Sequence, residues 1–114
     1  MRSRFFIRLP DPTVARGEDA ALSFQAHGAE AFASELEAAL RSEALFERWR
    51  LKQADPDEVD QALGVTDPSA WVTGSQVDLA IDLIAETDIP GKILQQRLRW
   101  LAGSGWQLRD VRSA

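Results

Sequence analysis

Apolar and polar residues alternate along residues 76–86. Val77, Leu79, Ile81 and Leu83 take every second position, and three carboxylates, of Asp78, Asp82 and Glu86, lie between and beyond them. Alternation at this period is typical of a strand with one buried face. A helix would place the carboxylates beside the apolar side chains and leave no wide apolar stripe. The pattern therefore predicts a single strand over residues 76–86.

A helix and a further strand follow this segment. Pro90 suits a first helical turn because it has no N–H group to satisfy, and apolar residues then recur at three- and four-residue intervals up to Ala102. The polar side of this helix is filled largely by Lys92, Arg97 and Arg99. Glycines within residues 103–105 end the helix, and the extended pattern of residues 106–111 predicts the last strand.

The N-terminal segment alternates in the same way. Phe5, Ile7 and Leu9 alternate with Arg4, Phe6 and Arg8, which predicts a first strand that ends at Pro10. Prolines 10 and 12, a glycine and three acids indicate a loop over residues 11–20. Residues 22–26 alternate weakly, and their pattern leaves open whether they form a short strand.

Good helix formers dominate residues 29–40, where Phe32, Leu36 and Leu40 recur four residues apart. Residues 43–52 continue the helical pattern, so residues 29–53 form either one bent helix or two. A short strand is predicted over residues 70–73, and Gly74-Ser75 is a hairpin signal that leads into the strand at Gln76.

The order strand, helix, hairpin, helix, strand predicts an α+β fold in one domain, residues 1–114. We expect the ferredoxin-like split β-α-β arrangement, with a four-stranded antiparallel sheet and two main helices on one face. The strands that begin at Arg4 and Gln76 would be the central pair. Arg4 and Arg8 would then lie across from Asp78 and Asp82, which favours charge pairing over acid–base catalysis.

Composition narrows the chemistry. With no cysteine and one histidine, the chain has no usual zinc site. Residues 55–60 are acidic but lack the glycine that a calcium loop requires, so no metal or cofactor is predicted. The basic N-terminus lacks the apolar run of a signal peptide, and no apolar segment approaches the roughly 20 residues of a membrane span. We therefore expect a cytoplasmic protein without a membrane partner.

The segment Phe5-Phe6-Ile7-Arg8-Leu9-Pro10 resembles the first-strand motif of RNA recognition motifs, which stack bases on aromatic side chains. The resemblance covers these six residues and implies binding of single-stranded nucleic acid. That family also has a basic residue, a glycine and two aromatic residues on its third strand. Residues 77–86 instead contain three carboxylates and no aromatic residue. Because carboxylates repel phosphate, nucleic-acid binding is disfavoured.

No nucleophile motif or catalytic constellation is present, so the prediction is a non-enzymatic domain that works by protein contact, for example as a homodimer. The interface would be either the open sheet face, with Phe6 and Ile84, or the tryptophans Trp49 and Trp100 near arginines.

The alternative prediction is a sensor or enzyme for a small anionic ligand. It would use a cleft formed by the loop of residues 11–27, and Arg8, Arg16 and His27 would bind the anion. A pocket that contains all three side chains would favour this alternative.

Overall fold

The computed structural model describes residues 2–114. Its strands are β1 (Ser3–Leu9), β2 (Trp71–Val77), β3 (Ala80–Thr87) and β4 (Gln107–Ser113). Its α-helices are α1 (Ala29–Arg41), α2 (Ala44–Arg50) and α3 (Gly91–Ala102). The strands form one sheet in the order β2-β3-β1-β4, and all neighbouring strands are antiparallel. The predicted α+β class and four-stranded antiparallel sheet are thus confirmed, with β1 and β3 at the centre.

The hydrophobic core lies between the sheet and the helices. Every second residue of the two central strands is buried, at Phe5, Ile7, Leu9, Ile81, Leu83 and Ala85. The helices contribute residues spaced three or four apart, including Phe32, Leu36 and Leu40 from α1 and Leu94, Leu98 and Leu101 from α3. The Cα atoms extend only 18 Å along the shortest axis, which fits two layers and leaves the other side of the sheet uncovered.

The single strand predicted over residues 76–86 is wrong. A turn at Asp78-Leu79 divides this segment between β2 and β3. Asp78 has a φ of 54°, a left-handed conformation that Asp tolerates better than most residues. The apolar alternation led to the wrong prediction because it continues through the turn, where Leu79 is 85% exposed and not buried. Gly74-Ser75 is consequently not the hairpin turn but lies within β2.

The helical segment of residues 29–53 forms two helices, α1 and α2. The chain turns at Ser42, whose backbone is extended with φ −135° and ψ 164°. Residues 22–26 form no strand. They cross α3 as irregular chain, and the Phe24 N–H group donates to the Leu101 carbonyl at 2.8 Å.

Arg97 does not lie on the polar side of α3 as the sequence pattern predicted. It is 1% exposed, and its guanidinium group donates to the carbonyl groups of Ala39, Leu63 and Val65 at 2.9, 2.7 and 2.6 Å. These acceptors lie near the ends of α1 and of a 3-10 helix at Gln61–Gly64, where free carbonyl groups favour a cation. Arg97 thereby fastens the irregular segment before β2 to the core.

Candidate protein-interaction surface

The side of the sheet away from the helices is the most densely charged surface that the strands create. We define the open face by the arginines Arg4, Arg8, Arg109 and Arg112, the carboxylates of Asp82, Glu86 and Asp110, and the larger side chains Phe6, Trp71 and Ile84. It carries a net charge of +1, whereas the whole chain carries −5. The open face is therefore nearly neutral within an acidic protein.

Sheet register groups these side chains in rows across the strands. In the first row, Arg4 of β1 lies opposite Glu86 of β3, which lies opposite Trp71 of β2. Glu86 accepts hydrogen bonds from the Arg4 guanidinium group and from the Trp71 indole N–H, both at 2.9 Å. The Arg4 guanidinium carbon also lies 5.9 Å from the Trp71 ring centroid. The hydrogen bond from Arg4 is the main cause that holds the pKa of Glu86 below its usual value.

A bidentate ion pair forms another row. Arg8 donates from Nε and Nη2 to the two carboxylate oxygens of Asp82 at 2.7 and 2.9 Å, the geometry in which a guanidinium group recognises a carboxylate best. The hydrogen bonds and charge of Arg8, with the nearby charge of Arg109, lower the pKa of Asp82. The expected pairing of Arg8 with Asp82 is confirmed. Arg4, however, pairs with Glu86 rather than Asp78, because Asp78 lies in the hairpin turn.

The last strand contributes a third pair that the sequence pattern did not reveal. Arg112 donates to Asp110 at 2.8 Å and lies 5.3 Å from the Phe6 ring centroid, within the range of a cation–π contact. The hydrogen bond from Arg112 lowers the pKa of Asp110. Simple alternation along this strand predicts Gln107, Arg109 and Val111 on the open face, but the register shifts at a β-bulge before Asp110.

The bulge reverses the order of faces for the rest of β4. Asp110 and Arg112 come to lie beside Phe6 and Arg4, and Val111 turns to the helix side. Bulges arise from backbone pairing rather than from residue periodicity. No simple signal in the sequence would therefore have placed Asp110 and Arg112 on the open face.

The centre of the open face is apolar. Phe6 lies opposite Ile84, and both side chains are half-buried. A shallow depression of about 330 Å³ runs between them and the Arg8–Asp82 pair. Arg109 also lines this depression and makes neither a hydrogen bond nor an ion pair within residues 2–114. The two predicted interface residues Phe6 and Ile84 are thus brought together.

The predicted tryptophan pair is also brought together, but in a different setting. Trp49 and Trp100 stack with ring centroids 4.9 Å apart and planes inclined by 27°. Trp100 is 8% exposed, and Trp49 is half-buried against Phe46. The stack leaves little of Trp100 for a partner to contact, although the interface prediction for this pair stays a prediction.

The predicted anion site is divided between two surfaces. Arg16 and His27 line one cleft of about 380 Å³ beside Pro12 and Thr13, whereas Arg8 lies on the open face. Arg16 donates from its two terminal nitrogens to the carbonyl groups of Phe24 and Ala26 at 2.9 and 2.6 Å. Those donors hold the loop in place and are not directed at a ligand.

No family model matches this chain, and no curated protein or solved structure has significant similarity to it. Within residues 2–114, no helix is long and apolar enough to cross a membrane. The same part of the chain contains no group of three or more His, Asp or Glu side chains placed to hold a metal ion.

Proposed function

We propose that this protein is a non-enzymatic domain that acts by protein contact through its open face. The observation that carries the proposal is that each carboxylate of this face is already paired with an arginine of the same face, around an apolar centre of Phe6 and Ile84. Such a surface combines apolar contact area with charges that need no new partner.

We further propose that the fold is the ferredoxin-like split β-α-β arrangement. The order β2-β3-β1-β4 supports this assignment, since each crossover connection leads past one intervening strand and the neighbouring strands are antiparallel. In this arrangement one sheet face is left without a helix layer, and a partner can cover it.

The state of the carboxylates supports binding over catalysis. A general acid or base needs a pKa near the working pH, and the pKa values of Asp82, Glu86 and Asp110 are all lowered by arginines. These groups stay ionised at neutral pH and are occupied by hydrogen bonds. They serve better as a fixed pattern of charge than as proton carriers.

The pairing also reduces the cost of covering the face. Removing an isolated charge from water has a large free-energy cost, whereas the cost for a charge in a hydrogen-bonded ion pair is smaller. Arg109 is the exception, and its free guanidinium group favours a partner with a carboxylate at the rim. The net charge of −5 on the whole chain opposes a phosphate backbone, so a protein partner is favoured over nucleic acid.

The size of the face sets the expected strength of the contact. Four strands about 4.8 Å apart and about seven residues long, at about 3.4 Å per residue, give a face of roughly 450 Å². A stable protein interface buries about 800 Å² on each partner. We therefore expect a weak contact, with a dissociation constant in the micromolar range or above.

A second copy is the first partner to test, by sedimentation equilibrium across a hundredfold range of concentration. The wild type is compared with Phe6→Glu, which puts a charge at the apolar centre, and with Leu79→Glu, which puts the same charge on a side chain that is 85% exposed at the hairpin tip. We expect self-association in the wild type and in Leu79→Glu, and at least tenfold weaker association in Phe6→Glu. A monomeric wild type, or a dimer that Phe6→Glu does not weaken, counts against self-association through the open face.

A further inference from the structure

The two outer edges of the sheet differ in how their main-chain groups are used. At the edge formed by β2, the Val72 N–H group donates to the Glu37 carboxylate of α1 at 3.1 Å. The preceding Ala70 carbonyl accepts a hydrogen bond from Arg41 of α1. Farther along, a Cβ atom at Gly74 would lie 2.4 Å from the Ala29 carbonyl oxygen. Helix α1 therefore takes up main-chain groups at the start of the β2 edge and packs closely against Gly74.

At the edge formed by β4, no helix takes this role within residues 2–114. The Val111 N–H group donates to the side chain of the adjacent Asp110 at 2.8 Å. Successive residues of an edge strand turn their main-chain groups alternately toward and away from the neighbouring strand. The N–H and carbonyl groups of Val111 thus point away from β1. The side chain of Val111 is 46% exposed.

We propose that β4 pairs antiparallel with β4 of a second copy, about a two-fold axis at Val111. This axis places Val111 opposite Val111 of the second copy, as a hydrogen-bonded pair. Asp110 then lies opposite Arg112 of the second copy, and Arg112 lies opposite Asp110.

Charge complementarity selects this register. Opposed side chains of two paired strands lie on the same sheet face, and adjacent residues of one strand lie on opposite faces. A two-fold axis between two copies of the same strand must therefore pass through one residue position and not between two. Centring on Asp110 would oppose two carboxylates, and centring on Arg109 would oppose two guanidinium groups. Centring on Val111 opposes two apolar side chains. It also lets Asp110 and Arg112, which pair within one chain at 2.8 Å, pair across the two strands, and such cross-strand pairs stabilise a sheet. Asp110 releases the Val111 N–H group as that group bonds the second copy.

The pairing goes beyond the proposed contact through the open face, because it uses the outer edge of β4, where Asp110 and Arg112 lie at the border of that face. It would join two four-stranded sheets into one of eight strands, with both open faces on the same side. The joined face would have twice the area of one copy and would pass the size at which protein interfaces become stable.

The test uses two charge reversals, Asp110→Arg and Arg112→Asp. Each variant alone would oppose like charges across the axis, so we expect its self-association to be at least tenfold weaker than that of the wild type in sedimentation equilibrium. An equimolar mixture restores both ion pairs, because the arginine introduced at position 110 of one variant would face the aspartate introduced at position 112 of the other. We expect the mixture to regain association within about threefold of the wild type. Circular dichroism of each variant checks that it is folded.

A spin label locates the axis independently of charge. The chain has no cysteine, so Val111→Cys and, as a control, the exposed Val14→Cys each carry one label. Opposed residues of a hydrogen-bonded pair have Cα atoms about 5.5 Å apart. We therefore expect strong dipolar broadening from position 111 and none from position 14.

Three results would overturn the β4 pairing: a wild type that stays monomeric at millimolar concentration, a mixture of the two reversals that stays as weak as its components, or an absence of broadening at position 111. Phe6→Glu distinguishes the two proposals. If Phe6→Glu weakens self-association, and the mixture of the two charge reversals does not restore it, the open face alone is the interface. Association that follows the charge reversals and survives Phe6→Glu supports β4 pairing and removes self-association through the open face.

Discussion

The two faces of the sheet use the same strands but different physical chemistry. Toward the helices, residues such as Ile7 and Leu83 are at most 1% exposed and meet other apolar side chains. Toward solvent, Arg8 and Ile84 alternate with them and remain half-buried. Burial against the helix layer provides the stability of the fold. The open face is therefore free to carry charge, and substitutions should affect the two faces in different ways.

Truncation of neighbouring residues on β3 should separate the faces most clearly. Leu83 is fully buried, and Leu83→Ala should destabilise the protein by about 2–5 kcal/mol through lost burial and a cavity. Ile84→Ala, on the open face of the same strand, should cost less than about 1.5 kcal/mol because solvent can fill the space. Urea unfolding at low protein concentration measures both. Equal losses would mean that the open face is part of the core.

Arg97 tests whether a charge can be structural on the helix-covered side. Arg97→Met keeps the length of the side chain but leaves the carbonyl groups of Ala39, Leu63 and Val65 without their donor. We expect a loss of about 1–3 kcal/mol, since relief from burying a charge offsets part of the cost of the unmade hydrogen bonds.

The exposed Arg99 on the same helix gives the matched control. Arg99→Met should change the free energy of unfolding by less than about 0.5 kcal/mol. A stabilising effect of Arg97→Met would show that the three carbonyl groups find other donors.

Acid should cost the protein more stability through a buried carboxylate than through the open face. Burial raises the pKa of Asp67, but hydrogen bonds outweigh it and lower the pKa below its usual value. The donors are the Thr87 hydroxyl, the backbone N–H groups of Ser69 and Asp88, and the Arg2 guanidinium group. The pKa of Asp82 is lowered too, but its side chain is 33% exposed, against 5% for Asp67. Solvent screens the more exposed pair.

The direction in which pH changes the stability follows from the lowered pKa values of Asp67 and Asp82. Their contribution to stability is complete above the ordinary Asp pKa of about 3.9 and is lost as the pH falls through the folded-state pKa. The urea midpoint of the wild type should therefore fall between about pH 5 and pH 2, and Asp67→Asn should reduce this fall more than Asp82→Asn does. The opposite ranking would place the main acid-sensitive group on the open face.

The sequence predicted the elements whose pattern reflects burial and missed those set by the backbone. Strand β1 and helices α1 and α3 were recognisable because their buried residues, such as Phe5, Phe32 and Leu94, belong to series that recur with the period of a strand or a helix. The hairpin was misplaced because Leu79 continues the apolar alternation through a turn that Asp78 makes with a left-handed backbone.

The candidate site was predictable to the same extent. Phe6, Arg8, Asp82 and Ile84 could be placed on one face from their parity on two strands. Asp110 and Arg112 could not, because a bulge reverses their parity. In the core, the burial of Arg97 could not be predicted either, because its partners are backbone carbonyl groups that carry no side-chain signature.

The central position of β1 has a consequence for how the protein is made. Ser3 of β1 pairs with Thr87 on one side and with Ser113 on the other, and both partners are synthesised long after it. Because a domain completes its folding only when its long-range partners are available, β1 should stay incompletely paired and open to chaperones while the later strands are translated. The finished sheet should form only after β4 has emerged from the ribosome.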